Sequence, residues 1–122
     1  MEFDFKKENK AYAIKVTVSD GGVNLGRATL YVLYNDLHDQ PFGLMEDVFV
    51  EEGNRGKGTG TQLVKKVMEK AKEENCYKLI CTSRHTSSKV HEFYAKLGFV
   101  SDGERFEEAG IPHLHMTWRP AV

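Results

Sequence analysis

The chain has 122 residues, with 17 basic and 18 acidic side chains and a formal net charge of −1. That length makes one domain spanning 1–122 around one core, and 40% apolar with 29% charged residues excludes wholesale disorder. So even a charge balance excludes general adhesion to nucleic acid or an anionic membrane, so any anion site must be local.

Uncharged stretches such as 28–35 fall far below the ~20 apolar residues of a membrane span. The opening Met1-Glu2-Phe3-Asp4 has neither the basic nor the apolar run of a leader, so a cytoplasmic location is expected. The two cysteines, Cys76 and Cys81, bracket one short apolar run. A bridge would fold a strand onto itself, so they read as buried, reduced thiols.

In chain order, Phe3 and Phe5 suit a short edge strand. Tyr12, Ile14, Val16 and Val18 alternate with Ala13, Lys15, Thr17 and Ser19, which predicts a strand ending at the Asp20-Gly21-Gly22 turn. A second strand is predicted over 25–34, rich in β-branched and aromatic residues, then a polar loop to Pro41 and a third strand over 44–50. A glycine-rich turn over 53–60 leads into a helix with Leu63, Val64, Val67, Met68 and Ala71 on one face. Asn75 is its stop, and 77–82 a short strand.

Thr86, Ser87 or Ser88 caps a second helix carrying Val90, Phe93, Tyr94 and Leu97, closed by Gly98. A strand begins at Phe99-Val100. After a loop through Gly110 and Pro112, the 113–119 segment alternates with Leu114, Met116 and Trp118 on one side. Strands followed by strand–turn–helix–strand–helix–strand–strand predict an α/β fold on a mixed sheet, with a right-handed crossover in its middle.

A glycine-rich turn entering a helix N-terminus converges backbone N–H groups at the positive end of the helix dipole. With Arg55 and Lys57 beside it, it suits a phosphate-bearing ligand. The P-loop pattern fails, because Gly56 follows Gly53 by three and Lys57 is followed by Gly58. The dinucleotide fingerprint also fails, because the spacing is Gly-x-Gly-x-Gly and the next strand ends in Cys81-Thr82-Ser83. Arg55-Gly56-Lys57-Gly58-Thr59-Gly60 matches a third pattern, Arg/Gln-x-x-Gly-x-Gly/Ala, in full.

With that turn, and with Phe93-Tyr94-Ala95-Lys96-Leu97-Gly98-Phe99 on the second helix, the sequence resembles the GNAT superfamily of acyl-CoA-dependent N-acyltransferases. The resemblance covers about residues 44–99, nearly half of the chain. Met45-Glu46-Asp47-Val48 and Asn75-Cys76-Tyr77-Lys78 are locally similar to glucosamine-6-phosphate N-acetyltransferases.

The resemblance implies that the turn, Arg55 to Thr61, cradles the pyrophosphate of acetyl-CoA. It implies that Val48, Phe49 and Val50 bind the pantetheine arm as an added strand would. The Val48 amide becomes the expected oxyanion donor, and Tyr94 the acid for the thiolate. Glu46 is the expected base; an i, i+2 spacing places it on the face of Val48 and Val50. Ser87 stands where the family often has an asparagine near coenzyme A. The alternatives are that Tyr94 is a core aromatic and Glu46 a solvated strand carboxylate.

No helical pair follows the first strand, where the family builds its acceptor lid. A second subunit, as in a homodimer, or the 35–40 loop is then expected to wall the pocket. His113 and His115 share a strand face and His85 and His91 flank the second helix, but the ordinary reading of all four is polar surface. Cys81 lacks a visible base. The expected activity is acetyl transfer from acetyl-CoA to a primary amine, small or on a protein; the alternative is a non-catalytic acyl-CoA-binding module.

Overall fold

The computed structural model describes residues 1–84, 88–108 and 111–121. The alternating N-terminal segments pair as β1 (Ala11–Asp20), β2 (Val23–Leu33) and β3 (Phe42–Val50). A 3-10 turn (Glu52–Asn54) leads to α1 (Thr59–Glu73), then β4 (Leu79–Arg84), α2 (Ser88–Lys96), β5 (Val100–Glu108) and β6 (Ile111–Trp118). The strands form one sheet in the order β1-β2-β3-β4-β6-β5. Among the described strands, only the central β3–β4 pair is parallel, joined through α1; the other pairs are antiparallel.

The predicted strand at Phe3 and Phe5 is not there. Residues 1–10 carry no regular structure, and both rings are exposed. Two alternating aromatics are outweighed by six charged residues among the first ten. Asn75 stops α1 as expected, taking a left-handed φ of 65°, while the Cys76 N–H reaches back to the Ala71 carbonyl. Gly98 does the same after α2 at φ 100°, with the Phe99 N–H bonded to the Tyr94 carbonyl.

Register assigns the two faces of the sheet. Leu30 pairs with Met45, Val32 with Gly43, and Cys81 with Met116; all are buried on one face. Leu63, Val64, Val67 and Ala71 of α1 pack on that face. Tyr94, Phe93 and Leu97 of α2 join the same core cluster, and an added Cβ at Gly60 in α1 would lie 3.8 Å from Phe93 Cζ. Both helices therefore cover one side. The other side presents Arg27, Thr29, Tyr31, Leu44, Glu46 and Ile80, and no described helix lies over it.

Gly26 sets how closely β2 and β3 approach beside the glycine turn. A Cβ there would stand 2.7 Å from the Phe49 carbonyl oxygen, a backbone atom that cannot swing away. Gly26→Ala should lower stability by about 1–3 kcal/mol. Urea denaturation reads this as a lower midpoint at unchanged slope; an unmoved midpoint would show that the strands part there without cost.

Candidate functional site

The glycine turn takes a backbone that ordinary residues resist. Gly56 sits at φ 78° and Gly58 at φ 81°, and Gly58 is the N-cap of α1. A Cβ at either would meet nothing within 4 Å, so the glycines serve conformation and leave open space above the turn. The Gln62 N–H bonds to the Gly58 carbonyl, which starts the helix. The N–H groups ahead of it have no intrahelical acceptor, and the first turn holds no acidic side chain and no side-chain cap. The helix end is thus left positive.

Lys57 is exposed there. The Arg55 side chain instead folds back: its Nε donates to the Val50 carbonyl at 3.0 Å, with the guanidinium 5.6 Å from the Phe49 ring centre. Its charge is therefore anchored to the end of β3.

Beside the turn, the sheet opens. Registered pairs between β3 and β4 are Gly43↔Leu79 and Leu44↔Ile80 only, although β3 runs to Val50 and β4 to Arg84. Beyond Leu44 the two parallel strands diverge, leaving an edge of β3 facing a gap. Gly43 marks the start of that edge, its N–H bonded to the Lys78 carbonyl.

A bulge decides which groups point into the gap. Thr29 pairs with Glu46 and Arg27 with Phe49, so Asp47 and Val48 together oppose Ala28. Asp47 has a left-handed φ of 55°, which costs a non-glycine residue about 1–2 kcal/mol. The Glu51 N–H bonds to the Leu25 carbonyl in β2. Strand alternation counted back from there turns Phe49 toward β2, and Val50 and Val48 toward the gap. The inserted residue is what lets the Val48 N–H face the gap.

The same bulge corrects the expected position of Glu46. Its side chain does not share a face with Val48 and Val50. Val50 pairs with Gly26 on the helix-covered face, whereas Glu46 pairs with Thr29 on the open one, with Phe49 and Arg27. A two-residue spacing preserves the face only in an unbroken strand. Glu46 thus stands half-buried on the uncovered side.

Tyr94 is 7% exposed, its ring edge-on to Phe93 and Phe99 at 5.2 and 5.5 Å. Burial holds its phenol well above the ordinary range, and the nearby Cys81 and Glu46 push the same way. Cys76 and Cys81 are free and buried, as expected. Burial pushes the Cys81 thiol up to about 12, so it is not a thiolate nucleophile.

Ser87 and His85 lie outside the described residues. His91 is half-buried on α2, and His115 is exposed on β6. The 35–40 loop does not reach the gap. The His38 ring packs tilted against Tyr77, ring centres 4.2 Å apart, at the start of β3, opposite the end that carries the turn. A groove of about 620 Å³ between β1 and α1, lined by Ile14, Val16 and Val18, includes none of the expected site residues.

The Arg27–Asp47 pair and the bulge it flanks were missed from sequence. The available signal was an aspartate beside Glu46 inside a largely apolar strand, a residue that strands disfavour and left-handed backbone tolerates.

Comparison with known proteins identifies the family and the fold. A profile of the Acetyltransferase (GNAT) family matches residues 2–99. A probable glucosamine 6-phosphate N-acetyltransferase 2 of Oryza sativa subsp. japonica is 43% identical over 63 residues, which are 50% of this chain and 35% of that protein. The chain thus matches about a third of that relative's length. A putative acetyltransferase from Agrobacterium tumefaciens superposes with a TM-score of 0.73 at 29% identity, over 79% of this chain and 67% of that one. A GNAT family acetyltransferase from Elizabethkingia anophelis, solved with acetyl-CoA bound, superposes with a TM-score of 0.66 at 21% identity, over 84% and 72%. The chain belongs to the Acetyltransferase (GNAT) family.

Proposed function

We propose that this chain transfers the acetyl group of acetyl-CoA to a primary amine by direct attack of the amine on the thioester. The observation that carries the reading is the open edge of β3 running straight into the glycine turn. The turn amides from 55 to 61 hold the pyrophosphate, and Gly58 and Gly60 admit it closely. Val48, Phe49 and Val50 run beside the pantetheine arm as a neighbouring strand would. The Val48 N–H, turned into the gap, polarises the carbonyl and holds the oxyanion.

The amine arrives from the uncovered face, where Glu46 accepts its proton directly or through water. Tyr94, kept protonated by burial, offers its hydroxyl to the departing sulfur. No residue of the 35–40 loop walls the acceptor side, so a second copy of the chain is the reading the bare face supports. Similarity to glucosamine 6-phosphate N-acetyltransferases makes that amino sugar phosphate the first acceptor to assay.

Release of free thiol from acetyl-CoA, measured across a panel of amino sugars, small amines and peptides, tests the activity. Binding without turnover on every acceptor would leave the chain an acyl-CoA-binding module. Glu46→Gln should lower kcat/KM most at low pH. There the amine is most protonated, while glutamine keeps the size and loses the base. The pH–rate profiles of the two proteins with one acceptor decide it. Profiles that superimpose in shape and height would remove Glu46 from the proton path.

A further inference from the structure

Arg27 lies on β2 directly opposite Phe49, one register step past the bulge. Its guanidinium reaches diagonally back across the bulge to Asp47, with Nε donating to Oδ2 at 2.8 Å and Nη2 to Oδ1 at 3.3 Å. The same guanidinium sits 4.8 Å from the centre of the Phe49 ring. The residues on either side of Val48 are therefore both held by one side chain from the neighbouring strand. On the far side, Phe49 also touches Arg55, which grips the Val50 carbonyl. The restraint is thus continuous from the bulge to the glycine turn.

The need for a restraint follows from the backbone. Asp47 has a left-handed φ of 55°, and a strand that relaxed this residue into the sheet would lose the bulge. Every residue after it would then change sides, and the Val48 N–H would turn from the gap toward β2. An exposed ion pair on a flat surface contributes little. This one is a two-point fork with a stacked ring, and it joins the one non-glycine left-handed residue of the described strands to the strand that sets its register.

We propose that Arg27 is a positioning residue whose two-point grip on Asp47 holds the β3 bulge in the form that aims the Val48 N–H into the gap. This rests on the reading of Val48 as the oxyanion donor. The role is indirect: neither Arg27 nor Asp47 touches the reacting atoms.

The test uses the full chain with acetyl-CoA and an accepted amine. In Arg27→Ala, the Val48 amide resonance should move in ¹⁵N-resolved spectra. kcat should fall roughly tenfold, part of the 10²–10³-fold that loss of an oxyanion donor costs. KM for acetyl-CoA should stay within about twofold. Adding Asp47→Gly to that variant should restore much of kcat, because glycine takes the left-handed conformation without a clamp, whereas adding Asp47→Ala should not.

A Val48 resonance that stays in place in Arg27→Ala overturns the proposal, whatever the rate. A resonance that moves with kcat unchanged overturns both the positioning role and the reading of Val48 as donor. Absence of turnover in the unaltered chain would defeat the assigned activity while the spectra still judged the clamp. Should Arg27→Ala fail to fold, Arg27→Lys keeps the charge, loses the fork, and carries the same readouts.

Discussion

Gly60→Leu should leave a protein that folds as well as before and has lost about 100-fold or more in affinity for acetyl-CoA, roughly 2.7 kcal/mol. The two effects separate because of where Gly60 stands. Its backbone is helical, and a Cβ would lie 3.6 Å from Val50 Cγ2 and 3.8 Å from Phe93 Cζ, ordinary contacts. Leucine is the better helix former by somewhat under 1 kcal/mol, so α1 itself does not suffer. What it removes is close approach of a ligand to the amides at the head of α1. Gly58→Val acts differently: φ 81° disfavours any β-branched residue, so its loss combines strain with bulk. Titration calorimetry on the folded variants measures both. Unchanged acetyl-CoA affinity in the pair would take the turn out of the binding site.

Tyr94→Phe should lower kcat by about 10²-fold while changing KM for acetyl-CoA little. The substitution keeps the ring in its edge-on contacts with Phe93 and Phe99 and removes only the hydroxyl. Burial, with Cys81 and Glu46 nearby, raises the phenol above its ordinary range, so the group is protonated throughout any workable pH range. A phenol so reluctant to ionise serves a leaving thiolate better as a hydrogen-bond donor than by giving up its proton outright. kcat should accordingly show no ionisation traceable to Tyr94. A variant with full kcat, under conditions where chemistry limits the rate, would make Tyr94 a core residue and nothing more.

Much of the architecture could be read from sequence because it is written in periods. The two-residue alternation of Ile14 to Val18 and the helical spacing of Leu63 to Ala71 each name their element and the side that packs on the core, although Tyr12 at the head of the first pattern is exposed. Gly58 and Gly98 could be read because their backbone conformations exclude most other residues. The face of Glu46 could not. One inserted residue inverts every later side chain, and the apolar pattern around Asp47 looks almost the same with the bulge as without it. Nor does alternation say whether a face is covered. Tyr31 and Leu44 are as apolar as many core residues, yet they occupy the side of the sheet that no described helix overlies. The Arg27–Asp47 pair joins residues 20 apart in the chain, and no local spacing rule connects them.

The divergence of β3 and β4 makes the sheet two three-stranded leaves, β1-β2-β3 and β4-β6-β5, stitched to each other by two rungs and clasped by helices on one side. A molecule lying along the seam, as proposed for the pantetheine arm, would bridge the two leaves, so it would work as a keystone as well as a cargo. Occupancy and cohesion then rise together: at a hundredfold excess over Kd, a ligand that binds only the folded chain adds about 2.7 kcal/mol to its stability. Without it, the amides near the seam should exchange with solvent sooner than those deep within either leaf. With it, the two leaves should respond to heat or denaturant as one body.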